Sequence, residues 1–93
     1  MVVKIILFPP YSTIINKKKL ILNFSEVEWV SFREIIKNFV KKYPKVKKLI
    51  HSISDEYKIY GNLVPVKNDN IVFLDDIIYD NEIIKFYGSL IGG

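Results

Sequence analysis

The segment from Ser31 to Pro44 limits the possible folds more than any other part of the chain. Ser31 and Glu34 stand at the S-x-x-E spacing of a capping box, in which each side chain satisfies the other residue's backbone N–H. Behind them Phe32, Ile35, Ile36, Phe39, Val40 and Tyr43 fall at i, i+3, i+4, i+7, i+8 and i+11, one apolar stripe on an α-helix. Lys41 and Lys42 complement the dipole in its last turn, and Pro44 stops it. A helix that is apolar along one stripe has to bury that stripe against another element, and two packed layers are the stable solution.

The rest of the chain supplies mainly strands to pack against. Val2–Phe8 is a β-branched run with one charge, closed by Pro9-Pro10, and reads as a buried strand. Lys19–Phe24 alternates, with Leu20, Leu22 and Phe24 on one face and Ile21 and Asn23 on the other. Between these two, Tyr11 to Lys18 is expected to be a loose hairpin loop. Val46, Leu49, Ile50 and Ile53 predict a short helix over about residues 45–54. Tyr57–Tyr60 and Leu63–Val66 flank the turn pair Gly61-Asn62, and Pro65 confines the second of them to a sheet edge. Lys67-Asn68-Asp69-Asn70 reads as a turn, Ile71–Leu74 as a short strand and Asp75–Ile78 as a single helical turn. Tyr79-Asp80-Asn81 then turns into a last strand, Glu82–Tyr87. A long crossover lets the first and last strands pair in parallel as central neighbours. The expectation is an α+β chain of the β-grasp, ubiquitin-like type: one domain over residues 1–93, a mixed sheet with one main helix across one face.

Chemistry is scarce along this body. With no cysteine and one histidine, His51, thiolate catalysis, disulfides and His- or Cys-based metal centres are excluded. The acid pairs Asp55-Glu56 and Asp75-Asp76 are adjacent in sequence and read as solvated turns, no serine sits in a nucleophile-elbow motif, and four glycines cannot build a phosphate loop. No enzyme active site is expected, and no metal. Residues 1–50 carry 11 Lys/Arg against 3 Asp/Glu, whereas residues 51–93 carry 3 against 7. Arg33 is the sole arginine, so tight reading of bases or phosphates is not expected, and Lys41–Lys48 reads as a solvated basic end. No apolar run approaches the roughly 18–20 residues that span a bilayer. The opening residues lack the basic n-region of a signal peptide. A cytoplasmic protein without membrane or nucleic-acid partners is expected.

The end of the sequence is different. Two of the four glycines are Gly92 and Gly93, a pairing that chance gives to roughly 0.5% of chains at average glycine usage. Lacking a Cβ, a Gly-Gly end can thread a narrow channel and deliver its carboxylate to another enzyme. Leu90 and Ile91 are apolar where an ordinary chain end is polar. Taken with the opening strand, the helix before Pro44, the Gly61-Asn62 hairpin, the turn Tyr79-Asp80-Asn81-Glu82-Ile83 and the ending Phe86-Tyr87-Gly88-Ser89-Leu90-Ile91-Gly92-Gly93, the chain resembles the ThiS/MoaD sulfur-carrier group, which includes the small subunit of molybdopterin synthase. It departs from that pattern in carrying Asn81 in place of a turn glycine and Tyr87-Gly88 in place of a proline pair.

The resemblance implies a substrate protein that is not itself a catalyst. An adenylating enzyme of the ubiquitin-activating type uses ATP to activate the Gly93 carboxylate, which is then converted to a thiocarboxylate. The chain itself binds no cofactor. Molybdenum or tungsten cofactor synthesis is the leading pathway, with the large subunit of molybdopterin synthase as a further partner. Thiamine synthesis, tRNA thiolation and conjugation to lysines are alternatives. On this reading Gly88, Ser89, Leu90, Ile91 and Gly92 form a flexible threading arm, and Phe86, Phe8 and Leu63 form the docking surface. A β-grasp RNA-binding or scaffold module using the Lys-rich half is the alternative from another class.

Overall fold

In the computed structural model, which describes residues 1–50 and 62–88, the opening run Val2–Leu7 is strand β1, buried at Val3, Ile5 and Leu7. The expected strand Tyr57–Tyr60, the turn residue Gly61, His51 and Asp55-Glu56 lie outside the described residues. Strand β2, Lys19–Asn23, runs antiparallel to β1 with Val3 opposite Leu22 and Ile5 opposite Leu20. The alternation read from the sequence holds there, since Leu20 and Leu22 are buried while Ile21 and Asn23 are exposed.

The connection between β1 and β2 is not a loose loop. Tyr11–Ile15 forms a helical turn, α1, in which the Ser12 N–H donates to the Phe8 carbonyl (3.1 Å) and the Ile14 N–H to that of Pro10 (3.0 Å). Asn16 ends it in the left-handed conformation, at φ 62°. Tyr11 is carried into the core, its ring 6.2 Å from that of Phe39. A five-residue helix is too short for a periodic stripe, and Thr13, Ile14 and Ile15 have poor helix propensity, so nothing local announces it.

Helix α2, Phe32–Lys42, starts where the capping spacing puts it. The Ser31 hydroxyl accepts from the Glu34 N–H at 3.4 Å. The N–H groups of Phe32 and Arg33 donate to the carbonyls of Asp76 and Leu74, so a distant loop satisfies two more first-turn donors. Phe32, Ile35, Ile36 and Phe39 are fully buried. Pro44 does end the α-helix, but it also opens a 3-10 helix, Pro44–Lys48, in place of an α-helix over 45–54. Val46 and Ile50 still reach the core, and residues 51–54 lie outside the described residues.

Strand β4 is Leu63–Lys67 and β5 is Asn70–Ile71. Asn68 and Asp69, both left-handed at φ 50° and 66°, make the two-residue turn between them. The expected strand Ile71–Leu74 is shorter than its sequence suggested, and the helical turn at Asp75–Ile78 is absent. Asp76 instead folds back on Phe73, its N–H donating to the Phe73 carbonyl (3.0 Å) while its carboxylate accepts from the Phe73 N–H (2.9 Å). Ile77–Tyr79 then forms strand β6, which pairs antiparallel with β3, Trp29–Ser31, in a two-stranded sheet the sequence did not announce. Strand β7, Ile83–Gly88, follows the turn at Asn81 (φ 66°).

The main sheet is ordered β2-β1-β7-β4-β5, with β1 and β7 parallel at its centre, Ile5 beside Ile84 and Leu7 beside Phe86. Contrary to the edge expected from Pro65, β4 lies inside the sheet between β7 and β5, and Pro65 breaks no ladder bond to β7. Its carbonyl accepts from Val72 on the far side, so its missing N–H also points away from β7. Helix α2 crosses one face, and the edge-on contacts of Phe86 with Phe39 (5.0 Å) and Phe32 (6.1 Å) join the two layers. This is the β-grasp fold.

Candidate functional site

Strand β7 brings the chain through the middle of the sheet to Gly88, the last described residue before the glycine pair that closes the sequence. Gly88 is not part of a free arm. It is the last residue of β7, opposite Leu63 on β4. A Cβ on it would lie 2.4 Å from Pro10 Cδ, 2.9 Å from the Pro9 carbonyl oxygen and 3.0 Å from Asn62 Oδ1. Bare backbone therefore passes through a slot that no side chain fits. The Pro9–Pro10 peptide bond on one wall is cis. Ser89, Leu90, Ile91, Gly92 and Gly93 lie outside the described residues.

The docking residues expected from the sequence divide. Phe86 and Leu63 are fully buried and serve the helix–sheet core, so they are not available to a partner. Strand β7 is apolar on both faces (Ile83, Ile84, Phe86, Tyr87), so parity alone did not tell inward from outward; packing against α2 takes Ile84 and Phe86 inward. Phe8 is half-buried on the other face, stacked on Tyr87 with ring centroids 4.3 Å apart, and its N–H donates to the Phe86 carbonyl.

The face left open by the helix alternates apolar and cationic groups. Lys4 stands between Ile21 and Ile83, and Ile6 between Lys19 and Lys85, with Val66 continuing that row on β4. Tyr87 stands beside Val64 nearest the arm. This outward set, missed in the sequence, is the surface that flanks the root of the arm. Lys67 at its border is paired with Glu82 at 3.0 Å. Partial burial pushes the Glu82 carboxyl up, but the Tyr79 N–H (2.7 Å) and the Lys67 ammonium outweigh it and hold the group below its usual range.

Asn62, one wall of the slot, donates its N–H to the Leu49 carbonyl, which puts the lysines of the 3-10 helix at the arm's end of the domain. There Ile14, Ile15, Tyr43 and Pro44 line a recess of about 240 Å³ together with Lys42 and Lys45. Nearby in the core, the Tyr11 hydroxyl has no hydrogen-bond partner among the described residues, and burial pushes its pKa well above the ordinary phenol value. It stays a neutral phenol. Among the described residues no group of three or more His, Asp or Glu is arranged to hold a metal ion, and no helix is long and apolar enough to cross a membrane.

No family model and no curated protein matches the sequence. Solved structures do match. A putative molybdopterin converting factor subunit 1 from Pyrococcus furiosus superposes with a TM-score of 0.78 at 16% identity, over 97% of this chain and 99% of its own. The small archaeal modifier protein SAMP1 from Haloferax volcanii gives 0.78 at 10% identity over the whole of both chains. The solution structure of SAMP1 from Methanosarcina acetivorans gives 0.74 at 18% identity, over 99% of this chain and 96% of that one. At these identities the likeness is one of fold, and it extends from end to end.

Proposed function

We propose that the chain is a ubiquitin-like carrier of the ThiS/MoaD kind, acting through the Gly92-Gly93 pair that closes its sequence. The observation that carries this reading is the course of β7: a central strand that passes bare backbone through the Gly88 slot shortly before the closing glycine pair of the sequence, beside an open face suited to a partner. An activating enzyme docks on that face and receives the arm. The Gly93 carboxylate attacks the α-phosphorus of ATP and pyrophosphate leaves, giving an acyl-adenylate. The terminal sulfur of a persulfide attacks the acyl carbon and AMP departs. A thiol then cleaves the sulfur–sulfur bond, leaving a thiocarboxylate on residue 93. Molybdenum or tungsten cofactor synthesis is the preferred destination of the sulfur, in keeping with the similarity to a molybdopterin converting factor subunit.

A second reading, attachment of Gly93 to a lysine amine with loss of AMP, is favoured by the structural likeness to two SAMP1 proteins, with TM-scores of 0.78 and 0.74. Intact mass of the protein from its native cells separates the two. A gain of about 16 Da, one oxygen exchanged for sulfur, marks the carrier. An isopeptide remnant on a target lysine marks the modifier. A chain that continues past residue 93, or activity that survives deletion of Gly93, overturns both.

A further inference from the structure

Trp29 is the chain's sole tryptophan, and it is 53% exposed. Directly across the two-stranded sheet stands Tyr79, 55% exposed and in register with it. Residues opposite one another in an antiparallel pair have Cβ atoms about 4.5–5.5 Å apart on one face, so the two rings make a single patch. Val27, also exposed, lies two residues before Trp29. The fold does not need these groups: the inward side of the same sheet is Val30 and Ile78, both buried. Adjacent, open aromatic rings are the residue types that anchor protein interfaces.

Acidic side chains flank the patch. Glu26 and Glu28 bracket Val27, both exposed, and neither has an ion-pair partner among the described residues. Asp80 follows Tyr79 and is fixed in place, accepting from the Val2 N–H at 2.7 Å. Of the cations at this end, Arg33 is paired with Asp75 (3.2 Å) and Lys67 with Glu82 (3.0 Å), the Met1 ammonium donates to the Phe24 carbonyl (3.0 Å), and Lys4 stands beside Ile83 on the main sheet.

We propose that the Trp29–Tyr79 face is a second docking surface, one that takes a basic partner segment with Lys or Arg interleaved among apolar side chains. The rings cover the apolar groups and meet the cations over their faces, while Glu26, Glu28 and Asp80 supply the countercharge. The surface lies near the start of β7, about 17 Å of strand from Gly88, so it can be occupied while the arm is engaged elsewhere. It does not depend on the carrier reading.

Because Trp29 is the only tryptophan, the intrinsic fluorescence of the full chain reports this site directly. Titrated with an acetylated octapeptide alternating Lys and Leu, the emission is expected to shift to the blue. Affinity should be about tenfold or more above that for the Glu/Leu counterpart, and should fall as salt rises. The double variant Glu26→Gln/Glu28→Gln, altered at exposed positions that leave the fold intact, is expected to weaken binding about fivefold. Calorimetry on Trp29→Ala/Tyr79→Ala should find binding lost. Equal affinity for the two peptides, or binding that survives the aromatic variant, overturns the proposal. A blue shift that grows with protein concentration and no peptide overturns it in favour of a second copy. A shift abolished by removing residues 89–93 overturns it in favour of the chain's own arm.

Discussion

Replacing Gly88 by alanine adds one methyl group at the root of the arm, and that group has nowhere to go. Two of its three neighbours cannot swing aside. Pro10 Cδ, at 2.4 Å, belongs to a ring, and the Pro9 carbonyl oxygen, at 2.9 Å, belongs to the backbone; only the Asn62 side chain, at 3.0 Å, can turn away. Forcing an extra carbon into a packed site costs about 1–3 kcal/mol. Alanine also restricts the unfolded chain, which offsets about 0.4–1 kcal/mol. The net expectation is a loss of roughly 1–2 kcal/mol. In a domain of this size each kcal/mol moves Tm by about 4–8 °C, so thermal unfolding followed by circular dichroism should give a fall of about 5–15 °C. Gly88→Val should fall further. A Tm for Gly88→Ala within about 2 °C of the parent, or above it, would refute the argument, because it would mean that the Pro9-Pro10 wall yields to a side chain.

Two further outcomes follow from the same geometry. Phe86→Ala should lose about 3–5 kcal/mol in urea unfolding because it empties the space between α2 and the sheet, whereas Tyr87→Ala should lose only about 1 kcal/mol, chiefly its stacking on Phe8; equal losses would mean that the inward and outward faces of β7 are misassigned. For Glu82 the folded pKa is depressed, so its contribution is present above the ordinary glutamic acid value of about 4.3 and is lost as pH falls through the lower folded value. Glu82→Gln keeps an acceptor for the Tyr79 N–H but no charge for Lys67, so it should be less stable than the parent at neutral pH, with the gap closing below about pH 4; a gap that stays constant from about pH 7 to about pH 3 would contradict the ion pair's role.

Long periodic segments made their own case in the sequence, and short ones did not. The α2 stripe repeats over eleven residues, so Phe32 to Phe39 could be assigned to the core without any partner in view. Asn68, Asp69 and Asn81 marked turns because their residue types accept left-handed backbone, and all three adopt it. Strands β3 and β6 have three residues each and one buried side chain apiece, Val30 and Ile78, which is too little for any period to register. Their outward Trp29 and Tyr79 look like core residues until the fold is known. The same ambiguity put Phe86 and Leu63 among the docking residues when the helix in fact claims them. The closing pair Gly92-Gly93 was visible as composition alone. The slot before it was not, because Pro9, Pro10 and Asn62 reach Gly88 only through the pairing of β7 with β1 and β4.

That parallel pairing also decides how the domain bears a load. Strand β1 begins at residue 2 and its neighbour β7 ends at residue 88, so traction between these two points draws the strands lengthwise past each other. The hydrogen bonds joining them are then strained together in shear, instead of parting one by one as they do when an edge strand is peeled away. Load applied between those two points therefore meets the ladder at the centre of the sheet all at once.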